Sequence, residues 1–498
     1  MSNRSQILKN IFYYSSSAYL SQAIGLVSGI YIARLLGPED FGVWNAVLLV
    51  LGYGAYMEFG VLSAMGRDLP LYIGQSDWQK VAAVDGAARY ATISGAIFAC
   101  IVVLALSFLP GHSSKLALGM QAMAIALILQ QIYTYHRIVL RSHNNFKELS
   151  QQQVLFSIVT AGLAVLFVVF CGLEGRLVAA ILAQAVIVMY ALYRNPWQPV
   201  PKFEWHVARS LIRLGIPIVI SGFIITMLTS IDRLMVIIFL DEKQLGYLGL
   251  GLMLVSVISL VPAMASQVLY PRINFHFGNR GRNIESLRSY VLTPPVILST
   301  LLPMVIGPLY LILPFVVKTF LPAYTPGITA ARIVTIGIFF YGILGLTDYF
   351  LVTTGKLKQY ALFGFSALVF NIVLDYFFIR IGYGIEGIAI GGILITYFLY
   401  STIVIGYALS HFKRRFKDLL RFFSRLWAPF IYMLILLWSV ENILDYLTSS
   451  HSFIDSIVIN GAKVILYLLG CLPLIYIAGR ELKLDFSRAT LARFDSMP

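Results

Sequence analysis

Charge is scarce in this chain. Asp, Glu, Lys and Arg supply 12% of its residues against 59% hydrophobic ones, about half the charged share of an ordinary soluble domain. That balance excludes a disordered or solvating protein. Cysteine is nearly absent: Cys100, Cys171 and Cys471 each fall inside an apolar stretch, with no spacing that suggests a disulfide or a metal cluster. There is no P-loop, no H-E-x-x-H and no G-x-S-x-G, and the seven histidines are scattered, so the sequence writes out no ATP-driven motor, zinc hydrolase or serine hydrolase. His136 and His143 flank Arg137 and Arg141 and read as headgroup or solvent contacts rather than metal ligands. No cofactor is expected. Large hydrophilic loops are also missing, which leaves little chain for an extramembrane domain.

What is present is fourteen long apolar stretches, from 10–36 at one end to 456–478 at the other. A hydrocarbon core about 30 Å thick needs about 20 apolar residues at a rise of 1.5 Å each. The expected fold is therefore an all-α integral membrane protein of about fourteen spans. The first stretch has no small-residue cleavage site and leads straight into a second, so it should persist as helix one. Trp44, Trp78, Trp197, Trp205 and Trp427 lie near expected span ends, where an amphipathic ring suits the headgroup layer.

A net charge of +14 could indicate nucleic acid, but the basic residues are placed otherwise. With the N-terminus inside, most Lys and Arg fall on alternate, inner connections, among them Arg4, Lys9, Arg137, Arg141, Lys147, Arg272, Arg280, Arg282 and Arg288. The outer connections hold Arg34, Lys115, Arg176, Lys243, Lys318 and Arg380. This positive-inside bias predicts a multi-pass inner-membrane protein with both termini in the cytoplasm. The run Lys413, Arg414, Arg415, Lys417 and Arg421 is expected to anchor a helix at anionic headgroups.

Sliding the chain on itself by 204 residues aligns Leu35–Gly42 with Phe239–Gly246, two acidic turns that each join a pair of spans. An even number of spans separates them, so the repeats would run parallel in the membrane. The resulting organisation is an N-terminal lobe at 1–200, a C-terminal lobe at 201–412 and two further helices with a tail at 413–498. Each lobe has six helices. The joint is the polar segment around Pro196, Pro199 and Pro201.

Charges inside spans cost about 2.5–3.5 kcal/mol each on insertion scales and normally face a cavity or a partner. Those that matter here are Arg34, Glu58, Arg89, Asp232, Arg233, Arg332, Asp348 and Asp375, with Asp85 and Lys463 beside them. Asp85 and Arg89 are one helical turn apart and can neutralise each other. Arg34 and Asp375 lie within about one turn of the outer surface, where snorkelling or hydration suffices. Glu58, Asp232 and Arg233 lie deeper, while Arg332 and Asp348 share a span about 24 Å apart and cannot pair. Arginines suit an anionic phosphate; a carboxylate could hold a coupling proton or cation. Gly25 with Gly29, and Gly387 with Gly391, form G-x-x-x-G pairs expected to bring helices close.

The segment Ala33-Arg34-Leu35-Leu36-Gly37-Pro38-Glu39-Asp40-Phe41-Gly42-Val43-Trp44 resembles the signature at the first outer turn of bacterial polysaccharide biosynthesis flippases. Glu58-Phe59-Gly60, Ser230-Ile231-Asp232-Arg233 and Gly384-Ile385-Glu386-Gly387-Ile388-Ala389 extend the similarity over nearly the whole chain. The resemblance implies the Wzx-type branch of the multidrug/oligosaccharidyl-lipid/polysaccharide exporter superfamily, with a MATE-like arrangement of two lobes around a central cavity. It implies a substrate too, an undecaprenyl-diphosphate-linked oligosaccharide of O-antigen or capsule turned from the cytoplasmic to the periplasmic leaflet. Expected partners are that lipid, bulk membrane lipids, H+ or Na+ as coupling ion, and a polysaccharide polymerase with its chain-length regulator. The family often carries aspartate where Glu58 stands, so charge is kept and reach is altered. Two alternatives remain at this point: an ion-coupled multidrug exporter of the same fold, and a membrane enzyme of polysaccharide assembly such as a polymerase or acyltransferase.

Overall fold

A computed structural model describes residues 3–196, 203–279, 283–412, 416–447 and 453–479. The expected joint at Pro199 and Pro201, Trp197, Arg280, Arg282 and Lys413 to Arg415 lie outside the described residues. The described chain is helical, with no strand. In order the helices are α1 (Asn3–Gly54), α2 (Val61–Gly74), α3 (Trp78–Ser107), α4 (Ser114–Ser142), α5 (Phe146–Arg194), α6 (Trp205–Leu228), α7 (Ile231–Phe239), α8 (Glu242–Ile258) and α9 (Leu260–Asn279). Then follow α10 (Arg288–Phe320), α11 (Ile328–Gly342), α12 (Gly345–Thr353), α13 (Leu357–Arg380), α14 (Gly384–Ile388), α15 (Thr396–Ser410), α16 (Phe416–Leu447) and α17 (Phe453–Gly470).

Among the described residues, twelve segments are long and apolar enough to cross a membrane. Two of them, Tyr13–Glu58 and Phe146–Arg194, are far longer than a bilayer needs. Each folds back at one glycine, Gly37 with φ 73° and Gly172 with φ 53°, a region that L side chains rarely enter. Counting each as two gives the fourteen spans that the hydropathy predicts.

Helix starts follow from short polar side chains at the turns. Ser113 accepts from the Leu116 N–H at 3.2 Å, Asn145 from Glu148 at 3.3 Å, and Asp241 from Gln244 at 2.7 Å. Asp77 does the same for α3, accepting from the Lys80 N–H. The Lys80 side chain and that N–H hold the Asp77 carboxyl below its ordinary range.

The chain divides into two compact units, Met1–Gly249 and Leu250–Pro498. In the first, α1 runs along α5, and α3 packs on α4, α2 and α6. Its contacts are lined by small residues such as Ala64, Ala87 and Ala88 around Met65, Leu69 and Leu211, as expected where close van der Waals packing holds helices together in lipid. In the second unit α10 is central, packing on α11, α12, α16 and α17. It carries Pro294, Pro295, Pro303, Pro308 and Pro314 and still runs as one helix. Tyr467 of α17 fills the notch above Gly307, and its hydroxyl donates to the Pro303 carbonyl at 2.9 Å.

Two sequence expectations change. A Cβ on Gly25 would meet nothing within 4 Å, so this glycine faces open space instead of a packed helix, whereas Gly387 and Gly391 do pack, against Phe378 and Leu374. His136 is buried at 3% exposure, not solvated, and its neighbour Tyr135 turns inward to a charged pair on α3.

Candidate functional site

The two acidic turns sit against each other within the first unit. A Cβ on Gly42 would collide with the Glu242 carbonyl, and a Cβ on Gly246 would collide with the Pro38 carbonyl. Adding the offset of 204 residues to 38 and 42 gives 242 and 246. The contact is thus reciprocal, the pattern that a two-fold relation between like segments produces. At its centre Gly249 rests on Asn45, the residue 204 positions earlier. The acidic charge of the first turn is neutralised by Lys115, at 3.0 Å from Glu39 and 2.7 Å from Asp40. Arg34 is exposed one turn before the fold-back at Gly37.

Further along, the second half of α1 meets a broken span. The segment from Trp205 to Phe239 stops being helical at Thr229 and Ser230 and restarts at Ile231. Asp232 falls in the first turn of the new helix, buried at 2% exposure, with Arg233 partly buried beside it. A carboxylate at a helix N-terminus lies in the favourable end of the helix dipole. Across the break, Tyr53 shares a hydroxyl hydrogen bond of 2.7 Å with Ser230 and comes within electrostatic reach of Asp232 and Arg233. Tyr56 bonds Thr226 at 2.5 Å and the Gly222 carbonyl at 3.2 Å, and Phe223 packs edge-on to both tyrosine rings.

Two residues after Tyr56, Glu58 ends a short 3-10 turn and is buried at 5% exposure. Its Oε2 accepts from the Leu62 N–H at 2.7 Å, so the carboxylate caps α2. Phe59 and Gly60, both with positive φ, make the corner, and Gly60 lies directly on the backbone of Gly215. Arg89 stands elsewhere. It binds Asp85 at 2.9 Å and donates to the Tyr135 hydroxyl at 3.3 Å, and that hydroxyl donates to Asp85 in turn.

The second unit holds the other three candidates separately. Arg332 of α11 pairs with Glu441 of α16 at 2.5 Å and lies 4.4 Å over the Tyr310 ring. Asp348 is on α12, just past the interruption at Ile343 and Leu344 that splits this span. Its Oδ1 and the buried hydroxyl of nearby Tyr400 have no hydrogen-bond partner among the described residues. Asp375, expected to be hydrated near the outer surface, is instead fully buried on α13, because helix packing covers it one turn after Asn371, which donates to the Gly392 carbonyl at 3.4 Å. Gly392 belongs to a π-helical turn, Ala389–Ile395, whose Gly391 carbonyl accepts from the Thr396 hydroxyl at 2.9 Å. Such turns recur at functional sites. Among the described residues no cluster of His, Cys, Asp or Glu is arranged to hold a metal ion.

The family model for polysaccharide biosynthesis proteins matches residues 31–326, a stretch that contains Arg34, Glu58, Arg89, Asp232 and Arg233. The chain belongs to that family. A Shigella flexneri protein whose name proposes O-antigen transport is 21% identical over 402 residues, covering 77% of this chain and 93% of its own length. Among solved structures, an inward-facing multidrug resistance MATE transporter of the MOP superfamily superposes with a TM-score of 0.67 at 15% identity, over 80% of this chain and 96% of that one. An outward-facing MATE structure gives 0.61 at 17% identity, over 82% and 97%. The fold of this polysaccharide biosynthesis protein is therefore MATE-like.

Sequence reasoning named the charged members of the α1 and α6–α7 seam and missed Tyr53, Tyr56 and Thr226. In a chain this rich in tyrosine they carry no signal except their spacing of three, which puts Tyr53 and Tyr56 on one helix face. It also missed Lys115 and Glu441 as partners, since both pairs join segments distant in sequence. Arg176 and Trp44, each expected at an interface, stack together at 3.6 Å.

Proposed function

We propose that this protein is a flippase that turns an undecaprenyl-diphosphate-linked oligosaccharide from the cytoplasmic to the periplasmic leaflet by alternating access. The observation that carries this reading is the helix break at Thr229 and Ser230, which brings Asp232, Arg233 and two bonded tyrosines together just beyond the membrane-length helix Trp205–Leu228 of a polysaccharide biosynthesis protein. Discontinuous helices commonly form transport sites, because freed backbone groups and half-helix dipoles can meet a charged ligand. The reciprocal contact of the two acidic turns supports lobes at 1–200 and 201–412, with 413–498 appended, that rock about the two-fold relation. Arg34, Glu58, Arg89, Asp232, Arg233, Arg332, Asp348 and Asp375 are the residues proposed to serve translocation. Guanidinium groups would receive the diphosphate, and the free oxygen of Asp348 beside the Tyr400 hydroxyl suits a coupling H+ or Na+. The polyprenyl tail would stay in lipid. A polymerase with its chain-length regulator would consume the product.

The positive-inside distribution supports an inner-membrane protein with both termini in the cytoplasm. The likeness to multidrug transporters is one of fold, and Arg233 at the seam favours an anionic cargo over a cationic drug. The test is leaflet exposure of a lipid-linked oligosaccharide in liposomes under imposed ion gradients. Arg233→Ala and Arg332→Ala should each slow exposure about tenfold or more, as expected for one lost charge-assisted hydrogen bond, at unchanged protein incorporation. Wild-type rates in both variants would count against the cationic path.

A further inference from the structure

A second basic feature lies away from the seam, at one end of the second unit. Arg288 is the first residue of α10, and Arg421 and Arg425 occupy successive turns of the neighbouring α16. The three side chains, with Asp418 and the buried ring of Phe422, line a cavity of about 290 Å³. Both helices enter membrane-length segments here, Ile284–Phe320 and Lys417–Asn442, so the cavity opens at headgroup depth. Glu285 reaches Arg288 at 3.3 Å. No ion pair within 4 Å joins Asp418 to Arg288, Arg421 or Arg425. Like charges one turn apart repel, and here a third is added from a neighbouring helix, so three guanidinium groups stand against the carboxylates of Asp418 and Glu285. That arrangement is stable when an anion with several acceptor oxygens sits among the guanidinium groups.

We infer that this cavity binds the phosphates of an anionic membrane lipid, clamping α16 to α10 through a headgroup. Basic pockets between membrane helices take lipid heads that carry more than one phosphate in this way. The chemistry is shared by diphosphatidylglycerol of the bulk membrane and by undecaprenyl diphosphate, the carrier in the function proposed above. The inference uses that proposal only for the choice of the second probe: protein that is inactive in flipping and still retains lipid here would separate the two.

The experiment is native mass spectrometry of the full-length protein released from detergent, titrated with diphosphatidylglycerol, undecaprenyl diphosphate or inorganic diphosphate. The double variant Arg421→Gln/Arg425→Gln should bind lipid about tenfold or more weakly. Asp418→Asn should bind more tightly, since it removes the carboxylate that lines the cavity, and Arg209→Gln, an exposed arginine of the first unit, should match wild type. Whichever lipid is retained more tightly identifies the source. Unchanged lipid affinity in both the arginine pair and Asp418→Asn overturns the site, and inorganic diphosphate held as tightly as either lipid overturns its assignment to a headgroup.

Discussion

Arg89 and Asp85 show what a charge inside a span needs in order to persist. Arg89 is 7% exposed and Asp85 24%, and the Tyr135 hydroxyl bridges them. Arg89→Ala strands a carboxylate that water reaches only partly, and should lower stability by about 2 kcal/mol, less than for a fully buried pair. The exchange Asp85→Arg/Arg89→Asp should recover much of that loss in thermal unfolding of the purified protein; no recovery would mean that geometry, not charge, holds the pair. This partnership was legible from the spacing of four. The role of Glu58 was not. Its depth marked it, but only the corner at Phe59 and Gly60 reveals that its carboxylate begins a helix, and the methylene that distinguishes it from aspartate gives it the reach to Leu62.

At the scale of elements, hydropathy separated the spans that fold back at Gly37 and Gly172 and could not locate the breaks inside spans at Thr229–Ser230 and Ile343–Leu344, because an apolar residue at a helix break has the same hydropathy as one inside a turn. Gly60 and Gly25 are two of 39 glycines, and hydropathy does not distinguish them. The structure does distinguish them, in ways that stability should follow. Gly60 combines φ 83° with direct contact on the Gly215 backbone, so Gly60→Ala should destabilise by about 1–3 kcal/mol through overpacking and strain. Gly25→Ala, in open space within a helix, should be neutral or stabilising by up to about 1 kcal/mol. Melting temperatures of the two variants check both, and equal shifts would remove the argument. The five prolines of α10 are a similar lesson in reverse, for they promise interruption while neighbouring helices hold the segment as one.

For the whole molecule, the sequence carried two signals of different reach. The distribution of Lys and Arg predicts an orientation without any contact, in which a cysteine at Ser113 is labelled from outside intact cells by a membrane-impermeant maleimide while one at Asn144 is not. Both positions are exposed ends of α4, so labelling of Asn144→Cys would reverse the orientation. The 204-residue offset needed the structure, since eight aligned residues in an apolar chain are weak grounds until Gly42 is found on residue 242 and Gly246 on residue 38.

That reciprocity has an evolutionary consequence. Positions 38, 42, 242 and 246 share one small volume, with each glycine facing the other segment's carbonyl, so they form a single constraint counted twice. A larger residue at either glycine calls for a change in the opposite turn. Related chains should therefore vary at these four sites together, and the two turns should drift as one element although some 200 residues of chain lie between them.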